Sequence, residues 1–172
     1  FDTEDVTGGT DRNLTVTGVA DVTGTLDCNG STISVTGNFL GRTGGTLIGG
    51  SGTHSYGSLF DVSAGGGAFT CTLSSGTTTL SVNSNYNIAT AAATVWSHGS
   101  GTVELTGTTS SRFLDTGNTA RTLFYNLTIN NATLVVQFQN AQGFNLTIGN
   151  NLVITAGELL TEEQTSGTDR NI

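Results

Sequence analysis

Two aspartates, Asp21 and Asp27, are the residues whose type and spacing best suit catalysis. They lie six residues apart in a stretch punctuated by glycines. Two carboxyl groups held about 5 Å or about 6.5–9.5 Å apart can hydrolyse a glycosidic bond. Asp21 and Asp27 are therefore candidate catalytic residues of a polysaccharide-cleaving enzyme. The favoured interpretation is that they are solvated acids at turns, because acidic side chains mostly lie at the surface.

A second acidic cluster, near the start of the sequence, could bind calcium. Asp2, Glu4 and Asp5 offer carboxylate oxygens, and two glutamates at 162–163 echo them. Calcium prefers such hard oxygen ligands. The adjacent run at 7–11, TGGTD, lacks the second glycine of the calcium-binding pattern G-G-x-G-x-D. A solvated corner is the favoured interpretation, and we expect no resident metal and no cofactor.

Three ring-bearing residues, Tyr56, Trp96 and His98, could form a sugar-binding surface. Exposed rings stack on sugar faces, and binding sites often use them. The favoured alternative is that Trp96 fills the core. Neither His98 nor His54 has a Cys or His at metal-ligand spacing.

Charge and hydropathy exclude several classes of partner. The net charge is −8 and five arginines are the only formal cations, which argues against nucleic-acid binding. No apolar run approaches the ~20 residues that span a bilayer, so we expect no membrane insertion. Cys28 and Cys71 are too few for a disulfide framework, and their favoured role is that of small buried hydrophobic residues. No phosphate loop, dinucleotide fingerprint or serine triad is visible, so we do not expect an enzyme.

The composition predicts many short strands joined by tight turns. Thr, Gly, Ser and Asn together account for 88 of the 172 residues, while Pro, Met and Lys are absent. Gly, Asn and Ser favour turns, and Thr suits a half-exposed strand. Apolar residues alternate between glycines six or seven residues apart in the first part of the chain. Gly41–Gly67 is less regular and is predicted to be a loop excursion or a frayed rung.

An internal repeat predicts how these strands are arranged. Tyr125–Ile129, YNLTI, returns nineteen residues later as Phe144–Ile148, FNLTI. Repeats of this length are typical of solenoids, in which each turn stacks on the next. We therefore predict that Leu127 stacks on Leu146, and that both point into one core together with Ile129 and Ile148.

The asparagine that opens this motif is predicted to mark a corner of each turn. It occurs at Asn13, Asn126 and Asn145. Asn tolerates left-handed backbone angles, and its side chain can hydrogen-bond to nearby backbone groups. A structural role at the corners is favoured over contact with a ligand.

These patterns predict an all-β right-handed parallel β-helix, a β-solenoid, with rungs of roughly 19–26 residues. The alternative is an antiparallel β-sandwich, which short strands and frequent turns also fit. No linker or change in composition divides the chain, so residues 1–172 are predicted to form a single domain.

A longer repeat joins the two ends of the sequence. Phe1–Leu14 aligns without gaps with Leu159–Ile172 at an offset of 158 residues, with eight identities. The favoured interpretation is one long unit followed by the start of the next, as in a tandem array or a fibre. The alternative is a corner motif that recurs at both ends.

Three segments carry a resemblance to a known group of proteins: GTLDCNGSTISVTGNF, FYNLTINN and FNLTIGNNLVITAGELL. They resemble the repeats of large parallel β-helix proteins in bacteriophage virions (fibres, spikes and capsid decorations) and in bacterial surface adhesins. The resemblance implies an elongated module, secreted or on a virion surface, and often trimeric or polymeric. It brings no catalytic motif.

The function expected from the sequence is that of an extracellular structural and adhesive module, first of all a virion surface protein such as a fibre, spike or capsid decoration. A bacterial surface adhesin or extracellular filament subunit is the alternative, and a polysaccharide-degrading β-helix enzyme is third. The expected partners are further copies, as a trimer or end to end, other virion or surface proteins, and cell-surface glycan. The expected location is extracellular or on the virion surface.

Overall fold

The computed structural model describes residues 12–62, 64, 66–81, 86–89, 95–108, 111–115, 122–139 and 147–160. Sixteen β-strands run through this part of the chain. None of the residues described belongs to a helix long and apolar enough to cross a membrane. The strands are β1 (Leu14–Val16), β2 (Ala20–Val22), β3 (Thr25–Asp27), β4 (Ile33–Val35), β5 (Phe39–Gly41), β6 (Thr46–Ile48), β7 (His54–Tyr56), β8 (Phe60–Asp61), β9 (Thr70–Thr72), β10 (Thr77–Leu80), β11 (Tyr86–Ala89), β12 (Val95–Ser97), β13 (Thr102–Leu105), β14 (Ser111–Asp115), β15 (Thr122–Gln139) and β16 (Thr147–Leu160).

The strands form three parallel stacks. The first stack runs β1-β4-β7-β10-β13-β15-β16, the second β2-β5-β8-β11-β14-β15, and the third β3-β6-β9-β12. Consecutive strands thus lie on different sides of a coil, and the triplets β1–β3, β4–β6, β7–β9 and β10–β12 make four successive turns. Every pairing among these strands is parallel. The predicted parallel β-solenoid is confirmed, because an antiparallel sandwich would pair its strands the other way.

The length of each rung follows from the register of the first stack. One inward position, the first inward column, is occupied in turn by Leu14, Ile33, His54, Thr78, Val103, Leu127 and Leu152. Hydrogen-bonded side chains on neighbouring rungs give the interval from one rung to the next. It is 19 residues between Asn13 and Thr32 at the start of the stack, 21 residues between β4 and β7, 24 residues between β13 and β15 and 25 residues between β15 and β16. These intervals lie within the predicted range of roughly 19–26 residues.

The nineteen-residue stacking of Leu127 on Leu146 is wrong. Leu127 pairs with Leu152, and Ile148 pairs with Phe124. The sequence offers two copies of the motif, NLTI ending at Ile148 and NLVI ending at Ile154, and only the second lies a full interval of 25 residues from the first motif. Because β15 runs for 18 residues across two sides of the coil, a rung here needs this greater length. Leu146 itself lies outside the described residues.

The predicted loop excursion at Gly41–Gly67 is also wrong, since this stretch contains β6, β7 and β8. Two of its glycines serve close packing within the coil. The Phe69 ring lies against Gly41 and Gly45, where an added Cβ would come within 2.9 Å of the ring carbons. Glycine is required wherever backbone and side chain approach this closely.

The core is a continuous column of buried side chains inside the coil. The second inward column of the first stack consists of Val16, Val35, Tyr56, Leu80, Leu105, Ile129 and Ile154. In the second stack Phe39 and Phe60 stack with ring centroids 5.3 Å apart, and Tyr56 meets Phe39 edge-on at 5.2 Å. Burying each large apolar side chain contributes about 1.5–3 kcal/mol, so the core stabilises every rung.

Both cysteines are part of this core. Cys28 and Cys71 are buried thiols, and Cys71 pairs with Leu47 and Trp96 in the third stack. Burial raises the pKa of Cys28 to about 12 and that of Cys71 further. Neither thiol is therefore ionised near neutral pH, which suits a packing role.

Candidate functional site

Asp21 lies on the outward side of β2, where Arg42 of the next rung binds it. Arg42 Nε and Nη2 each donate a hydrogen bond of 2.8 Å to one of the two Asp21 carboxylate oxygens. Arg42 Nη1 also donates to the backbone oxygen of Ala64 at 3.1 Å. The guanidinium lowers the pKa of Asp21, so this carboxylate stays ionised and lacks the raised pKa of a general acid.

Asp27 lies in a different stack, at the end of β3. Its Oδ1 accepts a hydrogen bond from the backbone N–H of Asn29 at 3.3 Å. Asn29 has a positive φ of 46°, so the carboxylate supports the sharp turn that follows the strand. The structure thus assigns Asp21 an interstrand ion pair and Asp27 a turn, on separate sides of the coil.

The three ring-bearing residues do not form one surface. Tyr56 is fully buried, and Trp96 is half-buried against the core with its ring edge-on to Phe60 at 6.5 Å. His98 instead stacks on Tyr125, with centroids 6.0 Å apart and planes 21° apart. His98 Nδ1 also donates to the backbone oxygen of Gly99.

Tyr125 is the ring partner that sequence reasoning missed. Asn126 pairs with Thr102, so a rung interval of 24 residues brings Tyr125 beside the turn that carries His98. The nineteen-residue repeat concealed this neighbour, and the longer interval is the signal that would have revealed it. The His98–Tyr125 pair is half-buried and presents one small aromatic surface.

The asparagines Asn13 and Asn126 hydrogen-bond across neighbouring rungs. Asn13 Oδ1 accepts from the backbone N–H of Thr32 at 3.2 Å, one rung away. Asn126 Nδ2 donates to the backbone oxygen of Gly101 at 3.3 Å, and its Oδ1 accepts from Asn151 Nδ2 at 3.2 Å. Each lies directly before the first inward residue of its strand. Asn145 lies outside the described residues.

A regular polar surface covers the outward side of the first stack. We call the outward column formed by Thr15, Ser34, Ser55, Thr79, Glu104 and Thr128 the hydroxyl face. Its members repeat at the ~4.8 Å spacing of neighbouring strands. Ser55 Oγ donates to Ser34 Oγ at 3.3 Å, and in the flanking column Ser81 and Thr106 hydroxyls lie 2.6 Å apart. Such a face offers a row of donors and acceptors with little charge.

A pair of polar residues interrupts the first inward column. His54 and Thr78 are fully buried and stack on each other in neighbouring rungs. His54 Nδ1 lies 3.3 Å from the Tyr56 hydroxyl, and Thr78 Oγ1 has no hydrogen-bond partner among the residues that the structure describes. Burial lowers the pKa of His54 to about 4, so the ring is neutral at pH 7.

The predicted calcium ligands Asp2, Glu4 and Asp5 lie outside the described residues. Within the part of the chain that the structure describes, no three His, Cys, Asp or Glu side chains cluster so as to hold a metal ion.

Comparison with known proteins gives no match to a family model, to a curated protein or to a solved structure. The architecture therefore rests on the strand pairings themselves. The function has to be argued from the surfaces that the coil presents.

Proposed function

We propose that the chain is an extracellular structural and adhesive module, in the first place a virion surface protein such as a fibre, spike or capsid decoration. The observation that carries this proposal is the uninterrupted parallel stacking of the first stack from β1 to β16. Each rung is hydrogen-bonded to its neighbours along the axis. In such an array each rung is stabilised by its nearest neighbours, so the module can be extended rung by rung along one axis.

The adhesive part of the proposal rests on the hydroxyl face. Its Thr and Ser side chains carry neutral donors and acceptors at a fixed spacing, which suits the hydroxyl groups of cell-surface glycans. The half-buried His98–Tyr125 pair adds an aromatic surface against which a sugar ring can stack. Cell-surface glycan, further copies of the chain and other virion or surface proteins are the proposed partners.

Glycan binding is tested by placing a bulky charge on the hydroxyl face. Thr79→Arg should weaken binding to immobilised cell-surface glycans at least tenfold, because the arginine covers the neighbouring hydroxyls. Thr70→Arg is the matched control, since Thr70 is exposed on β9 in the third stack. Equal binding by the two variants would show that the hydroxyl face takes no part in adhesion.

The alternative is a bacterial surface adhesin or an extracellular filament subunit, which would use the same stacked rungs. Labelling with an antibody against this chain separates the two. A virion protein is labelled on particles, at a fixed number of sites, whereas an adhesin or filament is labelled on cells. Label confined to the cytoplasm would contradict both.

A polysaccharide-degrading enzyme is the third proposal, with Asp21 and Asp27 as its candidate acids. The Arg42 contacts of Asp21 weigh against it. The decisive assay measures the release of reducing ends from glycan by the wild-type chain and by Asp21→Asn and Asp27→Asn. No release by the wild-type chain rejects an enzyme, and release that both variants retain rejects this pair of acids.

A further inference from the structure

We infer that copies of a 158-residue unit stack end to end in one register, with the last rung of one unit seated on the first rung of the next. The partner is thus a second copy of the unit. In a tandem chain its opening residues are 159–172, which repeat residues 1–14, whereas between separate molecules residues 1–14 of one chain compete with residues 159–172 of the other for the same position. This inference deepens the structural role proposed above and rests on it. It also names the surfaces through which the units associate.

The first rung presents an open apolar end. Within the described residues β1, β2 and β3 each pair on one side only, with β4, β5 and β6. Their inward side chains border a cavity of about 500 Å³, lined by apolar residues that include Leu14, Val16, Val22 and Leu26. Among the described strands these edges are unpaired, and together with the apolar lining they offer a surface on which a further rung can pair.

The last described rung presents the matching surface. Leu152 and Ile154 hold inward positions in β16, yet they are 39% and 46% exposed, whereas their neighbours Leu127 and Ile129 are fully buried. Leu152 and Ile154 are thus apolar side chains in core positions that are exposed to solvent. A further rung on β16 would bury them as β16 buries β15.

The length of the repeat corresponds to a whole number of rungs, so the two ends present the same side of the coil to each other. Ile172 corresponds to Leu14 in the 158-residue repeat, and Leu14 opens the first inward column. The separation of Ile172 from Leu152, the last described member of that column, falls within the range of rung intervals, which extends from 19 to 25 residues. The repeat therefore contains seven whole rungs. If the repeat were not a whole number of rungs, the residue equivalent to Leu14 in the next unit would lie on another side of the coil.

The asparagine that precedes the first inward column recurs across this junction as well. Asn13 and Asn151 each directly precede a member of the first inward column, Leu14 and Leu152. Stacking in register places Asn13 on Asn151, just as Asn151 lies on Asn126 within the chain. The second inward column continues in the same way. The core columns and the asparagine row are thus both complementary between the two ends.

The test is a pair of variants, each blocking one end. Leu152→Arg should abolish assembly of the chain, and Val16→Arg should do so from the other end, as measured by sedimentation velocity. Because each variant retains one intact end, mixing them should give a species of twice the monomer mass and nothing larger. Ile48→Arg is the control, since Ile48 is 38% exposed but lies mid-stack on β6, and it should assemble like the wild type.

Side-by-side trimers would survive both single variants, and this result would overturn the inference. Association between two identical ends would survive one of them and would overturn it too. A wild-type chain that stays monomeric at all concentrations also counts against it. If Leu152→Arg loses its β-sheet circular dichroism, Ile154→Lys replaces it at the same end. Glycan binding and particle labelling are measured separately, so the proposed function and this assembly can fail independently.

Discussion

His54 places a titratable ring where its neighbours in the column are Ile33 and Thr78. In the folded protein burial lowers its pKa to about 4, whereas an unfolded histidine titrates near 6.5. Between these values the unfolded chain binds the additional proton. The stability that a neutral His54 contributes is therefore fully present above about pH 6.5. It decreases as the pH falls below that value and is lost once the pH has fallen through about 4.

We expect this single residue to cost about 3 kcal/mol of stability between pH 7 and pH 4. His54→Gln, which is neutral throughout, should lack that part of the pH dependence. The free energy of unfolding from urea titrations at pH 7, 5.5 and 4 measures the difference between the two chains. Parallel curves for wild type and variant would contradict a buried neutral histidine.

Thr78 offers a second prediction at the level of one residue. Its hydroxyl is buried and has no hydrogen-bond partner in the described part of the chain, so Thr78→Val keeps the shape and removes the cost of burying a polar group. We expect a gain of about 1 kcal/mol in the free energy of unfolding. Thr79→Val, one residue along and on the outward side, is the control and should change stability by less than about 0.5 kcal/mol.

At the level of the element, the turns restrict which residues they can accommodate as strictly as the strands do. Gly50 has a φ of +61°, and a Cβ there would overlap the backbone of Asn29 in the preceding rung. Gly50→Ala should therefore destabilise the fold by about 3 kcal/mol or more, because both the backbone angle and the rung contact oppose it. Gly24→Ala is the matched control, since a Cβ at Gly24 would have no atom within 4 Å and its φ is not in the left-handed region. Thermal unfolding of the two variants measures the difference, and similar melting temperatures would contradict the close stacking of turns.

The strands show what could be predicted from sequence and what could not. Alternating apolar residues and closely spaced glycines predicted short strands joined by turns, because these patterns report local preference directly. The internal repeat predicted that the strands stack in parallel, and the strand pairings confirm this. The register near the end was missed, since NLTI and NLVI are equally good partners for Asn126–Ile129 and only the circumference of the coil selects between them. The same limit concealed Tyr125 as the neighbour of His98. Asp21 and Arg42, 21 residues apart, likewise needed the rung length before their pairing could be seen.

At the level of the whole molecule, stability should vary along the axis. A central rung has a neighbour on both sides, whereas β1 pairs with β4 alone among the described strands. In a solenoid each rung gains stability mainly from its nearest neighbours. Hydrogen exchange of monomeric Leu152→Arg should protect the amides of β7 and β10 at least tenfold more than those of β1. Uniform protection would indicate that the coil unfolds as one cooperative unit.

Every strand pairing in the described part of the coil is parallel, so the coil has a direction, with β1 at one end and β16 at the other. In an assembly of such units every copy has the same direction, and each surface feature recurs once every seven rungs, about 34 Å apart. A fibre built this way differs at its two tips, since one tip ends in β1 and the other in the last rung. A partner that recognises one unit would therefore bind with a fixed polarity and at one site per unit.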